Sequence, residues 1–86
     1  MRILLFAALR EIARSSRLDV PLAEAPTVGA LAQELERRFG AEFGRILSAG
    51  SIVVNGERAH LAQALGMDDE VALLPPVSGG RDERSD

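Results

Sequence analysis

The chain has 86 residues, of which 47% are hydrophobic and 27% charged, and its formal net charge is −3. A chain of this length is predicted to form one small domain that buries roughly 60–65% of its unfolded surface, which leaves no room for an internal catalytic cavity. The acidic balance argues against nucleic-acid binding, which requires a basic face. We therefore expect any chemistry to take place at the surface or in a complex with other proteins.

The types of residue that are missing exclude further classes of protein. Cysteine is absent, so disulfides, thiol nucleophiles and thiolate metal sites are excluded. No stretch approaches the ~20 apolar residues of a membrane span, and Arg10-Glu11 interrupts the apolar start too early for a signal peptide. We expect a cytoplasmic protein with no membrane partner. All ten basic residues are arginine, so copies of the chain cannot be joined to one another through lysine.

The start of the chain predicts two strands. Ile3–Phe6 is a short apolar run typical of a buried central strand, and residues 8–15 are helix formers interspersed with charges. Leu18–Leu22 alternates apolar and polar residues, and Pro21 confines that strand to an edge or ends it. We expect a hairpin of two strands with a helical insertion.

A long helix is predicted to follow Thr27. The apolar residues after it recur every three or four positions and therefore share one helix face: Val28, Leu31, Ala32, Leu35 and Phe39. Thr27 is expected to be the N-cap, and Gly40 the glycine just beyond the C-terminus. Residues 41–48 predict a second, shorter helix.

The second half of the chain predicts two further strands. Ile52–Val54 runs into Asn55-Gly56, the strongest short turn signal, and Val71–Leu74 is an apolar strand. The acidic run Asp68–Glu70 before that strand is more often a solvated turn than a cation site. His60 is the single histidine, and no ligand or nucleophile is spaced to work with it. No metal site is therefore predicted.

The order of these elements predicts the fold. One long helix across one mixed sheet is the α+β arrangement called beta-grasp or ubiquitin-like, in which the first and last strands form a parallel central pair. Residues 1–80 are expected to form this domain. Residues 81–86 are expected to be a disordered polar extension, because they contain no apolar residue that could anchor them. The predicted core consists of Leu5, Val28, Leu31, Leu35, Phe39, Val53, Val71 and Leu73.

Beyond the last predicted strand, residues 75–80 form a segment that we call the arm. Pro75 and Pro76 cannot continue a hydrogen-bonded ladder and hold the chain extended, whereas Gly79 and Gly80 present bare backbone that fits a tight tunnel. We expect a flexible arm that reaches roughly 20 Å from the body when extended. That length is sufficient for the arm to enter the active site of a partner.

These segments resemble the ubiquitin-like sulfur carriers of the MoaD/ThiS type. The resemblance covers residues 1–80. Ile3–Glu11 looks like that family's first strand and turn into a helix, Val54–Gly56 like its central hairpin, and Asp69–Gly80 like its terminus. The Pro-Pro-Val step before Gly-Gly is most similar to the small subunit of molybdopterin synthase, since thiamine-type carriers usually lack it.

The resemblance implies a non-catalytic carrier with no bound cofactor. In this family an E1-like adenylating enzyme uses ATP to activate the carboxylate of the terminal glycine, here Gly80, and a sulfur donor then converts it to a thiocarboxylate. A large synthase subunit passes the sulfur to a pterin precursor of molybdenum cofactor. Phe6 and Arg10 match positions that help to dock these two partners. The remaining residues of the arm are expected to guide it into the active sites of these two partners: Pro75, Pro76, Val77, Ser78 and Gly79.

The six residues after Gly80 conflict with this chemistry, because an amide at Gly80 cannot be adenylated. Either a protease, for example a zinc metalloprotease of the deubiquitinase kind, removes residues 81–86, or this copy is inactive. Other hypotheses also stay open. The chain can be a sulfur carrier for cysteine, thiamine or secondary-metabolite synthesis, a ubiquitin-like modifier joined through Gly80 to a lysine of a target, or an interaction module that is never processed.

Overall fold

The computed structural model describes residues 1–77. Ser78, Gly79, Gly80 and residues 81–86 lie outside the described residues, and so do the predictions of a flexible arm end and a disordered extension. The helices and strands of the described part, in chain order, are β1 (Arg2–Leu5), α1 (Ala7–Ala13), β2 (Arg17–Asp19), the 3₁₀ helix Leu22–Glu24, α2 (Val28–Phe39), α3 (Ala41–Ala49), β3 (Ser51–Val54), β4 (Glu57–Arg58) and β5 (Glu70–Leu74).

The five strands form one mixed sheet in the order β2-β1-β5-β3-β4. β1 and β5 run parallel at its centre, with Leu5 opposite Leu73, and the other neighbouring strands are antiparallel. The helices pack against one face of the sheet, and every second residue of each central strand points toward that face. This is the predicted beta-grasp arrangement, and the predicted parallel central pair is confirmed.

The core lies between the helices and the inward face of the sheet. Alternate residues of the three central strands point into it, and the helices contribute one face each. Within residues 1–77 the buried residues are all apolar: Ile3, Leu5, Leu9, Val20, Ala25, Val28, Leu31, Leu35, Phe43, Leu47, Ile52, Val54, Leu65, Val71 and Leu73. Six of the eight predicted core residues are among them.

The other two predicted core residues, Val53 and Phe39, are only partly buried. Successive strand residues point to opposite faces of a sheet, and Ile52 and Val54 take the inward positions of β3. Val53 therefore faces the opposite side. Phe39 lies in the last turn of α2, and its ring packs 5.1 Å from that of Phe43, which is the fully buried aromatic residue.

Local signals place both ends of α2 where the sequence predicts them. The Thr27 hydroxyl oxygen accepts a hydrogen bond from the Ala30 amide at 3.1 Å, as expected for an N-cap. Gly40, with φ of 102°, ends α2 and begins α3. Residues 59–66 cross the start of α2, where the amides of Val28 and Gly29 donate to carbonyl oxygens of that segment at 3.0 and 2.9 Å. The first amides of α2 are therefore already partnered.

The early part of the chain differs from prediction in its boundaries. α1 ends at Ala13 rather than Ser15, because Arg14 adopts a left-handed conformation with φ of 60°. β2 ends at Asp19, and Pro21 leads into the 3₁₀ helix instead of extending the strand. β2 lies at the edge of the sheet, as the proline predicts.

The acidic run before β5 stabilises a turn. The Asn55-Gly56 turn joins β3 to β4, and the Asp69 carboxylate accepts hydrogen bonds from the Asn55 side-chain amide at 2.9 Å and the Gly66 backbone amide at 2.7 Å. These two donors lower the pKa of Asp69 below its ordinary value. Glu70 pairs with Arg2 at 3.1 Å. Two of the three acids thus have structural partners.

No helix within residues 1–77 has the length and apolar character needed to cross a membrane.

Candidate functional site at the exit of the arm

The candidate site lies where the two central strands end. Because β1 and β5 are parallel and Leu5 pairs with Leu73, both strands finish at the same edge of the sheet. β5 continues through Leu74 into Pro75, while β1 continues into Phe6. The base of the arm and Phe6 therefore leave the sheet at neighbouring positions.

The arm emerges from the body over three residues. Leu73 is fully buried, Leu74 and Pro75 are half-buried, and Pro76 is exposed. The side chain of Val77 is 86% exposed. The strand ends at Leu74, as predicted, since Pro75 has no backbone N–H to continue the ladder. The predicted roles of Pro75, Pro76 and Val77 in partner binding stay predictions, as do those of Ser78, Gly79 and Gly80.

Phe6 is held outward by the turn between β1 and α1. It is the extended N-cap of α1, and its carbonyl oxygen accepts hydrogen bonds from the amides of Leu9 and Arg10 at 3.1 and 3.4 Å. Ala7 has a left-handed φ of 51°, which is uncommon for a residue with a side chain. The sharp turn leaves the Phe6 side chain 42% exposed, whereas Leu9 is fully buried.

Phe6 and Arg10 line one shallow depression together with Arg17. Among residues 1–77, no carboxylate lies within ion-pair distance of either arginine. An exposed aromatic ring beside two guanidinium groups is suited to a partner surface that combines apolar and acidic groups. The structure thus brings together the two docking residues predicted by resemblance and adds Arg17 to them.

Sequence reasoning missed Gly50, which connects α3 to β3 beside the base of the arm. Its backbone approaches the Leu74–Pro75 step so closely that a side chain at position 50 would overlap the Leu74 carbonyl oxygen. A glycine between a predicted helix and a predicted strand is a visible signal. Its neighbour, however, belongs to a strand that lies far away in the sequence.

The described surface offers groups for recognition at this edge. Within residues 1–77, no three histidine, aspartate or glutamate side chains converge as metal ligands would. His60 is exposed and lies in a groove beside α2 and α3, whose lining also includes Gly50 and Ser51.

A long helix across a five-stranded sheet with a parallel central pair, from which the base of the arm leaves, defines the beta-grasp or ubiquitin-like class of proteins. Comparison with known proteins agrees. The chain belongs to the ThiS family, whose model matches residues 3–80.

Two curated relatives align with nearly the whole chain. Small archaeal modifier protein 1 of Haloferax volcanii is 37% identical in an alignment of 83 positions that covers 88% of this chain and 95% of the relative. Its crystal structure has a TM-score of 0.71 and covers 93% of this chain and 98% of its own. The molybdopterin synthase sulfur carrier subunit of Escherichia coli is 34% identical in an alignment of 85 positions that covers 93% of this chain and 99% of that protein.

The same fold occurs in a complex of two subunits. A chain in the complex of subunits 1 and 2 of molybdopterin-converting factor from Helicobacter pylori has a TM-score of 0.65 and 21% identity. The match covers 92% of this chain and 96% of that chain. At this identity the likeness concerns the fold.

Proposed function

We propose that this protein is a sulfur carrier, and that it acts as the small subunit of molybdopterin synthase once residues 81–86 have been removed. The observation that supports the proposal most directly is the arm exit. A central strand whose inward residues, Val71 and Leu73, are fully buried is followed by a Pro-Pro step and by Val77, which is 86% exposed. In the sequence, Ser78-Gly79-Gly80 comes next.

The proposed chemistry takes place at the Gly80 carboxylate, which processing exposes. A carboxylate oxygen attacks the α-phosphorus of ATP on an adenylating enzyme, and pyrophosphate leaves. Hydrosulfide then attacks the carbonyl carbon of the acyl-adenylate, AMP leaves with the bonding electrons, and the bound sulfur loses its proton. The product is a thiocarboxylate. In this scheme the carrier contributes the carboxylate and its placement, while the activating enzyme holds ATP.

Three partners follow from this proposal. An E1-like adenylating enzyme and a large synthase subunit receive the arm in turn, and a protease, for example a metalloprotease, removes residues 81–86 beforehand. Phe6 and Arg10 are proposed to contact the first two, because they lie together at the edge from which the arm leaves. The H. pylori complex, in which a chain of the same fold is paired with a second subunit, supports the choice of the large subunit.

A second candidate is a protein modifier. It is favoured by the 37% identity to a relative that is itself named a small archaeal modifier protein. In that case a lysine amine of a target attacks the same acyl-adenylate and AMP leaves, which gives an amide at Gly80. The chain contains no lysine, so a second copy could not be added to the first through a lysine side chain.

The experiment compares the full chain with one ending at Gly80. Each is incubated with a cognate adenylating enzyme, ATP and a sulfur source, and its mass is measured. Only the chain ending at Gly80 should gain the difference between sulfur and oxygen. Equal activation of the full chain, or activation of neither chain, contradicts the proposal.

The same activated chain separates the two candidates. A carrier in the proposed pathway should restore sulfur transfer to a pterin precursor when the large synthase subunit is added. A modifier should instead form covalent products with lysine-bearing proteins. A chain ending at Gly79 is the matched control for both reactions, because it has a free carboxylate but a shorter arm.

A further inference from the structure

Gly50 lies against the base of the arm. Its amide donates to the carbonyl of Leu47 at 3.0 Å, which closes the end of α3, and the next residue, Ser51, pairs with Leu74 across the β3–β5 ladder. A β-carbon on Gly50 would overlap the carbonyl oxygen of Leu74 and would lie 3.0 Å from the carbonyl carbons of Leu74 and Pro75. These obstacles are backbone atoms, which cannot move aside as the end of a long side chain can.

This close approach distinguishes Gly50 from the other glycines of residues 1–77. The atoms nearest to a β-carbon on Gly44 would belong to the side chain of Glu36, and a β-carbon on Gly66 would lie 3.6 Å from Asp69, at ordinary contact distance. A β-carbon on Gly29 would approach the carbonyl of Leu61 at 3.2 Å, on a segment remote from the arm in the sequence. Within the described residues, Gly50 is thus the glycine whose lack of a side chain affects where Leu74 and Pro75 lie.

The base of the arm is supported from one side. The β1–β5 ladder ends at the Leu5–Leu73 pair, because the chain turns away at Phe6, so Leu74 keeps a cross-strand partner only in β3. That partner directly follows Gly50. α3 is in turn fixed to the body by the burial of Phe43 and Leu47. The α3–β3 junction is therefore the rigid part that determines where Leu74 ends and Pro75 begins.

We propose that Gly50 is a positioning residue that sets the line along which the arm leaves the body. The inference rests on the proposed function, since the purpose of that line is to place the Gly80 carboxylate at the α-phosphorus of ATP. A Pro-Pro step is stiff, so a displacement at Leu74 is carried outward along the arm. A misplacement of about 1 Å at reacting atoms can cost ~10²-fold in rate, even when its cause lies far from the chemistry.

The first measurement uses the unsubstituted chain ending at Gly80. If Gly50 packs on the base of the arm, its α-protons should give nuclear Overhauser contacts to protons of Pro75. The Gly66 α-protons serve as the internal control and should give none. Absence of the Gly50 contacts overturns the proposal, whether or not the chain is a substrate of any enzyme.

The second measurement uses Gly50→Ala in the chain ending at Gly80. Gly44→Ala and Gly66→Ala in the same chain are the matched controls. In pyrophosphate exchange with the adenylating enzyme, Gly50→Ala should lower kcat by up to ~10²-fold while leaving KM for the carrier unchanged. The variant should also compete with the unsubstituted chain for the enzyme, because its docking surface is intact. The two control variants should keep the kcat of the unsubstituted chain.

Each outcome has a defined meaning. A folded Gly50→Ala with unchanged kcat, or with a raised KM and no loss of kcat, overturns the positioning role. If the variant does not fold, the contacts measured in the unsubstituted chain decide the question. If the unsubstituted chain is not adenylated, the proposed function fails. The positioning of the arm is then judged from those contacts and from the shift of the Val77 amide resonance in Gly50→Ala, and an unmoved resonance overturns it.

Discussion

At the scale of single residues, Glu34 makes the densest set of ion pairs in the described part of the chain. Its carboxylate accepts hydrogen bonds from Arg37 at 2.6 and 3.1 Å and from Arg38 at 2.7 Å. Arg38 also reaches Glu24 at 2.7 Å, which ties α2 to the 3₁₀ helix. The hydrogen bonds from Arg37 and then Arg38 lower the pKa of Glu34 from 4.5 to about 2. These ion pairs have a structural role, because they link α2 to the 3₁₀ helix.

The lowered pKa of Glu34 predicts a pH dependence of stability. A carboxyl group whose pKa is lower in the folded state stabilises the fold above its unfolded pKa, and that stabilisation is lost as the pH falls toward the folded pKa. Glu34→Gln should therefore lower the free energy of unfolding near neutral pH. As the pH falls from 4.5 to about 2, the free energy of unfolding of the variant should approach that of the unsubstituted chain. Urea unfolding at several pH values measures this difference.

The control for Glu34→Gln is Gln33→Ala, which changes an exposed neutral residue on the same helix. The difference in free energy of unfolding between Gln33→Ala and the unsubstituted chain should not vary with pH. Because Arg37 is 71% exposed, added salt should shrink the effect of Glu34→Gln at neutral pH. If Glu34→Gln changes the free energy of unfolding by the same amount at every pH, the lowered pKa of Glu34 is not the source of the stabilisation.

At the scale of elements, the sequence predicts what is signalled locally. The predicted bounds of α2 agree with the observed ones. The signals that set them, which are the apolar spacing, the threonine cap and the terminal glycine, all lie within the helix or next to it in the sequence. The inward face of β3 is a different case. Ile52-Val53-Val54 is apolar throughout, so no polar residue shows which alternate positions face the core, and the structure selects Ile52 and Val54.

The same distinction applies to the candidate site. The sequence identifies the arm because its Pro-Pro and Gly-Gly steps are contiguous, and Phe6 and Arg10 enter by resemblance to a family. Their shared position at the arm exit depends on the parallel pairing of β1 with β5. The importance of Gly50 arises from a contact between elements that are distant in the sequence. Such contacts become visible only in the folded chain.

The packing of α2 on the sheet predicts a large effect at Leu35. Its side chain is fully buried in the core, so truncation leaves a cavity as well as losing apolar contacts. Leu35→Ala should cost ~2–5 kcal/mol of unfolding free energy, measured by chemical denaturation. Gln33→Ala, two residues earlier on the exposed face, should change it by less than ~0.5 kcal/mol. Similar losses in both variants are incompatible with the assigned helix face.

At the scale of the whole molecule, stability and the proposed chemistry reside in different parts of the chain. Every buried apolar residue of the described part lies between Ile3 and Leu73. The proposed reacting group, Gly80, follows Val77, whose side chain is 86% exposed. The body is therefore expected to fold by its own core, while the arm supplies the group that partners modify. A change in the arm should then affect activation and leave unfolding alone.

Gly79→Ala tests this division directly. In a chain ending at Gly80, the added methyl group should block adenylation, because in the proposed function the arm enters a narrow channel of the activating enzyme that fits a glycine backbone. The thermal midpoint should stay within the range of a neutral surface substitution. Gly66→Ala makes the same chemical change in the body and should leave adenylation intact. Unfolding of Gly79→Ala would identify Gly79 as a structural turn, and normal adenylation of the variant would remove the reason for a glycine there. Either result would weaken the proposal that the arm is the part of the chain on which the activating enzyme acts.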